Sequence, residues 1–229
     1  MHRVKVRVVE DALDANNTIA RANRDDFDRA GVTVVNLMSA PGAGKTTLLE
    51  RALGPGLGGV RFGVLEGDVE GSLDADRLAD AHVPVVQLNT GNGFGGECHL
   101  DANMVRSALG ALDLASLDLL IVENVGNLVC PAEFRIGEDV RMMVSSVAEG
   151  DDKPLKYPLM FRACELVVLN KVDLLPHVDF SVDRFLYHLD AVHPGVSHLP
   201  TSARTGEGVD ALRAWLAGLP ERAAAGAPA

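Results

Sequence analysis

The run Thr33-Val34-Val35-Asn36-Leu37-Met38 and the eight residues after it, Ser39-Ala40-Pro41-Gly42-Ala43-Gly44-Lys45-Thr46, constrain the fold more than any other part of the chain. A β-branched run that breaks into a glycine loop and then into Gly-Lys-Thr is a strand, a phosphate-binding loop and a helix start. Gly42 and Gly44 let backbone N–H groups, with that of Ala43 between them, close around phosphate oxygens. Lys45 is placed to reach β- and γ-phosphates, the Thr46 hydroxyl to bind Mg²⁺, and Thr47 to complete the cradle. Ser39 stands where the generic motif has its first glycine, and a small residue still fits that turn. An ordinary strand-to-helix turn does not account for the intact Gly-Lys-Thr-Thr.

The rest of the chain repeats the strand–helix alternation. Strands are expected at 33–38, 60–65, 84–88, 117–122, 166–169 and 198–201. Helices are expected at 11–29, 46–53, 74–82, 99–112, 180–191 and 209–219. Residues 140–148 read equally as strand or helix. Glycine-rich loops are expected at 54–59 and 90–96, a charged loop at 149–157, and a frayed tail from 223. This alternation implies an α/β fold with a doubly wound, mostly parallel sheet. Ligands then sit at the carboxyl ends of the strands, where every motif discussed here falls. The chain divides into an N-terminal arm and helix (1–32), a nucleotide-binding domain (33–220) and a flexible tail (221–229).

Composition narrows the function. The chain has 229 residues, 47% of them hydrophobic, within the range of one α/β domain. Its 21 basic and 32 acidic residues give a net charge of −11, which argues against nucleic acid as a partner. No apolar run approaches a bilayer span, and the N-terminus lacks a leader-type apolar region, so a cytoplasmic protein is expected. Three cysteines do not make a closed disulfide framework.

Glu123-Asn124-Val125-Gly126 follows the strand at 117–122. Phosphate-loop enzymes place there an acidic residue near Mg²⁺ and a glycine that senses the γ-phosphate. Asp68, at the end of another strand, is the second carboxylate, able to hold Mg²⁺ or orient the attacking water. Lys45, Asp68, Glu123 and Gly126 are thus the candidate catalytic set. A solvated strand-end carboxylate is the competing reading of Asp68 and of Glu123. Asn170-Lys171-Val172-Asp173 reads as a guanine site. Asp173 accepts from the guanine N1 and N2 donors, an edge adenine lacks. Asn170 contacts N7 or bridges to the phosphate loop, and the Lys171 stem stacks on the ring. Ser202-Ala203-Arg204 forms a second base loop, its Ala203 N–H directed to O6. No arginine finger is evident in cis, so intrinsic turnover is expected to be slow.

Cys98 and His99 are adjacent, and Cys130 lies four residues past Gly126. With Cys98-His99 at a helix start, the dipole would favour a thiolate. Two thiolates and an imidazole suit Zn²⁺ or Ni²⁺, with a fourth ligand from water or a second subunit. Two semi-buried cysteines beside a capping histidine explain the spacing equally well. Cys164 leads into a core strand and reads as a buried hydrophobe.

Taken together, Ser39-Ala-Pro-Gly-Ala-Gly-Lys-Thr-Thr, Glu66-Gly67-Asp68, Cys98-His-Leu-Asp-Ala, Glu123-Asn-Val-Gly-Asn-Leu-Val-Cys130-Pro, Glu149-Gly-Asp-Asp-Lys-Pro-Leu-Lys-Tyr-Pro158 and Asn170-Lys-Val-Asp resemble the HypB family, from about residue 10 to 219. The family comprises GTPases that assist nickel insertion into [NiFe]-hydrogenase. The resemblance implies a SIMIBI-type GTPase that turns GTP into GDP and phosphate with Mg²⁺. It further implies a nucleotide- or metal-dependent homodimer carrying Ni²⁺ or Zn²⁺ at Cys98, His99 and Cys130. A HypA-type nickel chaperone and the hydrogenase large subunit are the implied partners. Residues 1–38 hold neither a Cys-x-x-Cys-Gly-Cys site nor a histidine-rich stretch, so N-terminal nickel storage is not expected. Residues 92–96 are more glycine-rich than the family pattern before the Cys-His pair. A GTPase serving urease or a cobalamin enzyme, or a nucleotide-regulated scaffold with structural cysteines, are the alternatives.

Overall fold

The computed structural model describes residues 8–68, 73–91 and 98–226. Seven strands form one sheet: β1 Thr33–Ser39, β2 Phe62–Asp68, β3 Val85–Asn89, β4 Leu119–Glu123, β5 Val140–Ser146, β6 Leu166–Asn170 and β7 Ser197–Pro200. Their spatial order is β3-β2-β4-β1-β5-β6-β7, and every pairing is parallel. The undecided segment at 140–148 is therefore a central strand over Val140–Ser146, fully buried between β1 and β6, and passes into a 3₁₀ turn at Val147–Glu149. The helices are α1 Val8–Ala30, α2 Lys45–Leu53, α3 Leu73–Asp80, α4 Ala102–Ala108, α5 Cys130–Glu133, α6 Lys153–Lys156, α7 Pro158–Arg162, α8 Val182–Val192, α9 Val209–Ala217 and α10 Leu219–Ala224.

Both faces of the sheet are covered, as an all-parallel sheet requires. Strand alternation divides the core. Val35 and Leu37 of β1 point into a cluster with Leu48, Leu49, Ile121, Val144, Leu212 and Leu216. Val34 and Met38 point the other way, into clusters containing Phe27, Leu65, Leu100 and Val122, or Met143, Phe161, Val167 and Phe185. Helix α1 is tied to this second face by buried amides. Asn16 accepts from the Ala102 N–H (2.9 Å), and Asn23 donates to the carbonyls of Ala102 (2.8 Å) and Ile136 (3.1 Å).

Three sequence expectations need correction. The helix expected at 99–112 begins at Ala102, because the Asp101 carboxylate caps it by accepting from Met104 N–H (2.7 Å). It ends at Ala108 and gives way to a 3₁₀ turn at Leu109–Ala111. The charged loop expected at 149–157 contains α6, entered through Pro154 in its first turn. The tail expected to fray from 223 stays helical to Ala224. Most of the glycine-rich loop expected at 90–96 lies outside the described residues.

Candidate functional site

The carboxyl ends of β1, β2, β4 and β6 bring the phosphate loop, the acidic strand ends and the guanine motif together, while the cysteines lie one loop further out. At the phosphate loop Gly42 and Gly44 both take positive φ, +72° and +96°, which a side chain rarely tolerates. Gly44 is also crowded: a Cβ there would stand 2.8 Å from Asn170 Nδ2. Lys45 Nζ donates to Ser39 Oγ (2.9 Å), which in turn donates to Ala40 O (2.6 Å). The serine that replaces the first glycine thus holds the lysine in place. Gly126 lies against the same loop, since a Cβ on it would fall 2.9 Å from Pro41 Cα.

Thr46 Oγ1 donates to Glu123 Oε1 (2.8 Å), so hydroxyl and carboxylate converge on one point. Glu123 is paired in register with Glu66 of β2, and both are buried. Glu123 Oε2 and Glu66 Oε2 are buried without a hydrogen-bond partner. Burial holds the Glu123 carboxyl above the usual range, against the pull of Lys45 and Thr46. Burial first, and then the neighbouring carboxylates of Glu123, Asp68 and Asp74, push Glu66 up to about 8. Such a crowd of carboxylates under a single lysine, with two orphaned oxygens, fits a divalent cation. Asp68 ends β2 beside them, half-buried, its carbonyl accepting from Thr90 N–H (2.8 Å). Glu66 stands in the Glu66-Gly67-Asp68 motif but receives no role from the sequence, because its partner Glu123 lies across the sheet. Arg77 was missed. From α3 it donates to Thr47 Oγ1 (2.9 Å) and Glu50 Oε2 (2.6 Å), bracing the helix that follows the phosphate loop.

The base motif closes on the phosphate loop from β6. Asn170 Nδ2 donates to Ala43 O (3.0 Å), the bridging option of the two open in the sequence. Lys171, at φ +62°, lays its stem across the loop and donates from Nζ to Gly42 O (2.6 Å). Asp173 accepts from Ser202 Oγ (2.6 Å), and Arg204 approaches its other oxygen at 4.0 Å. Ala203 N–H donates to Asn170 Oδ1 (3.2 Å), so the donor expected to point at the base is engaged by the asparagine. A cavity of about 210 Å³ opens between Gly44, Thr47, Asn170, Lys171, Asp173, Leu174, Ala203 and Arg204. A larger one, about 570 Å³, lies between α1 and residues 133–138, away from the strand ends.

Cys98, His99 and Cys130 come together: their ligand atoms all lie within 4.8 Å of one another. The two sulfurs are 3.4 Å apart, and Cys98 Sγ is 3.8 Å from His99 Nδ1. With metal–sulfur bonds of ~2.3 Å, thiolates on one ion stand about 3.3 Å apart at a right angle and about 3.8 Å apart in a tetrahedron. The observed spacing therefore needs little adjustment for either geometry. The His99 ring is buried and stacks at 4.5 Å on Phe134, while Cys98 is exposed. Neither Cys98 nor His99 sits on a helix, so the dipole argument for a Cys98 thiolate does not apply. Cys130 does open the short α5, but burial and the neighbouring Cys98 raise its thiol instead of lowering it. A cation between the sulfurs would reverse that balance. Cys164 is buried and donates to Met160 O (3.1 Å), consistent with a core thiol.

Comparisons with known proteins place the chain in a family. The family model described as "CobW/HypB/UreG, nucleotide-binding domain" matches residues 33–199. The hydrogenase maturation factor HypB of Azotobacter vinelandii is 47% identical over 92% of this chain and 68% of its own length. That of Escherichia coli K12 is 45% identical over 93% and 72%. Among solved structures, HypB from Helicobacter pylori in complex with nickel superposes with a TM-score of 0.84 at 33% identity, covering 94% of this chain and 98% of that one. The LAO/AO transport system kinase, at 18% identity and a TM-score of 0.56 over 98% of this chain and 79% of that one, shares the fold. The chain belongs to the HypB family of hydrogenase maturation factors, within the wider CobW/HypB/UreG group of nucleotide-binding domains.

Proposed function

We propose that this chain is a GTP-hydrolysing metallochaperone that carries nickel for the maturation of a [NiFe]-hydrogenase. One observation carries the reading. Cys98, His99 and Cys130 form a compact donor set four residues from Gly126, which abuts the phosphate loop. Guanine is selected by the Asp173 carboxylate, fixed by Ser202, at the wall of the cavity over Gly44. Thr46 and Glu123, with Asp68, would hold Mg²⁺, which when bound neutralises charge on the phosphates. Lys45 exchanges the Ser39 hydroxyl for phosphate oxygens and stabilises charge on the transferred group. Asp68, at the strand end, would either hold Mg²⁺ or orient the attacking water. Hydrolysis removes the phosphate sensed by Gly126, and the segment from Gly126 to Cys130 relaxes, loosening the nickel ligands.

Nickel is the cargo, and Zn²⁺ suits the same donors. Three protein ligands leave the set open, and a second copy can complete it. Val129 beside Cys130, and Leu159 on α7, which packs on α5, are exposed apolar groups that a homodimer would cover. We extend the reading to a cytoplasmic location, a HypA-type nickel donor and the hydrogenase large subunit as recipient, as the family resemblance suggests. No described helix is long and apolar enough to cross a membrane.

The test is Ni²⁺ titration of the reduced protein without nucleotide, with GDP and with a non-hydrolysable GTP analogue. Binding that needs Cys98 and Cys130 and differs between nucleotide states supports the reading. Binding unchanged in the Cys98→Ala/Cys130→Ala variant, or indifferent to nucleotide, overturns it.

A further inference from the structure

We infer that Leu100, gripped between Gly67 and Asn124, is the joint that transmits nucleotide state to the nickel ligands. The inference rests on the gated reading above and names the residues that perform the gating. Leu100 follows His99 directly and is fully buried. Its N–H donates to Asn124 Oδ1 (2.8 Å), and Asn124 is the residue after Glu123. Its side chain fills the space over Gly67, where a Cβ would fall 2.6 Å from Leu100 Cδ1 and 2.7 Å from Cγ. Gly67 lies between Glu66 and Asp68. A single leucine in the ligand loop thus touches both strand ends that carry the phosphate-site carboxylates.

Asn124 is suited to the task because it is itself immobilised. It is 1% exposed, its N–H donates to Leu37 O (2.9 Å) and its Nδ2 to Asn36 Oδ1 (3.2 Å), both on β1. It therefore ties Leu100 to the strand that feeds the phosphate loop. A second tether acts on the sulfurs. Asn127 Nδ2 donates to Cys98 O (3.2 Å), and Asn127 Oδ1 accepts from Val129 N–H (2.9 Å), next to Cys130. Asn127 follows Gly126, so displacement at the phosphate loop reaches both thiols through one amide. The Leu100 joint sets the height of the Cys98-His99 loop, and the Asn127 tether keeps the two sulfurs in step. A packed leucine on a glycine transmits displacement because neither side has slack. Asn124 and Leu100 are positioning residues, set behind the candidate ligands and not among them.

The experiment measures nickel affinity with GDP and with a non-hydrolysable GTP analogue in the wild type, Asn124→Ala and Leu100→Ala. Thermal melting and guanine-nucleotide affinity are read on each variant. In the wild type the two nickel affinities should differ by about fivefold or more, the usual lower bound of a coupled pair of sites. In either variant the ratio should fall to within about twofold of one, a change that loss of stability alone does not produce. Leu100→Ala keeps the backbone N–H and serves if Asn124→Ala does not fold. A wild-type ratio retained in the folded variants would overturn the joint while leaving the gated reading standing. A ratio of one in the wild type would remove the gated reading and the joint together.

Discussion

On the proposed reading, nucleotide choice depends on Asp173, whose carboxylate would meet two donors on guanine and is held in place by Ser202. Asp173→Asn presents an amide where two acceptors are needed, leaving paired groups unsatisfied at about 1–3 kcal/mol. GTP affinity should fall by about 10- to 100-fold, and xanthosine triphosphate, which carries an acceptor at that edge, should bind better than to the wild type. Displacement of a fluorescent nucleotide reads both. Glu66 makes a second prediction. Its folded carboxyl holds a proton up to about 8, whereas the unfolded chain releases it near the ordinary 4.5. The folded state binds the extra proton across that window, so stability falls as pH rises through it. Without nucleotide or Mg²⁺, urea midpoints should drop from pH 5 to pH 8, and Glu66→Gln should flatten the drop. An unchanged slope would remove Glu66 as the cause. Motif reasoning names strand-end and loop residues such as Asp68 and Asp173 readily. It passes over Glu66 and Asn124 because their importance comes from what lies opposite them in the sheet, and spacing along the chain does not encode that.

At the scale of elements, Arg77 joins α3 to α2 through Thr47 and Glu50, with Asp74 as a third partner at 3.2 Å. The site is half-exposed, so Arg77→Ala should cost only about 1 kcal/mol, a melting shift of about 2–4 °C for a domain of this size. Loss of more than about 10 °C would mean that α3 depends on this brace more than surface pairing allows. The strands are legible from their apolar, often β-branched runs, apart from 140–146, where Arg141 interrupts the run and Met142, Met143, Ser145 and Ser146 carry no strand preference. Helix starts were less legible. The turn at Cys98-His99 read as helical because apolar spacing continues through Leu100. The Asp101 cap decides the boundary, and its effect is local. With the start moved to Ala102, Cys98 and His99 are loop residues, flanked by Asn127 on the Cys98 carbonyl and Asn124 on the Leu100 N–H.

For the whole molecule, the proposed function has one rigid sheet serve two sites whose states are linked. Nucleotide motifs lie at the carboxyl ends of β1, β2, β4 and β6, and Cys98, His99 and Cys130 occupy the loops leaving β3 and β4. The segment from Glu123 to Cys130 belongs to both sites. Single-turnover kinetics test this most directly. Protein loaded with Ni²⁺ and GTP is mixed with a chromogenic chelator while phosphate release is followed in parallel. Nickel should reach the chelator with the time course of phosphate release, and should be held when a non-hydrolysable analogue replaces GTP. Equal release rates with GTP and with the analogue would contradict the account.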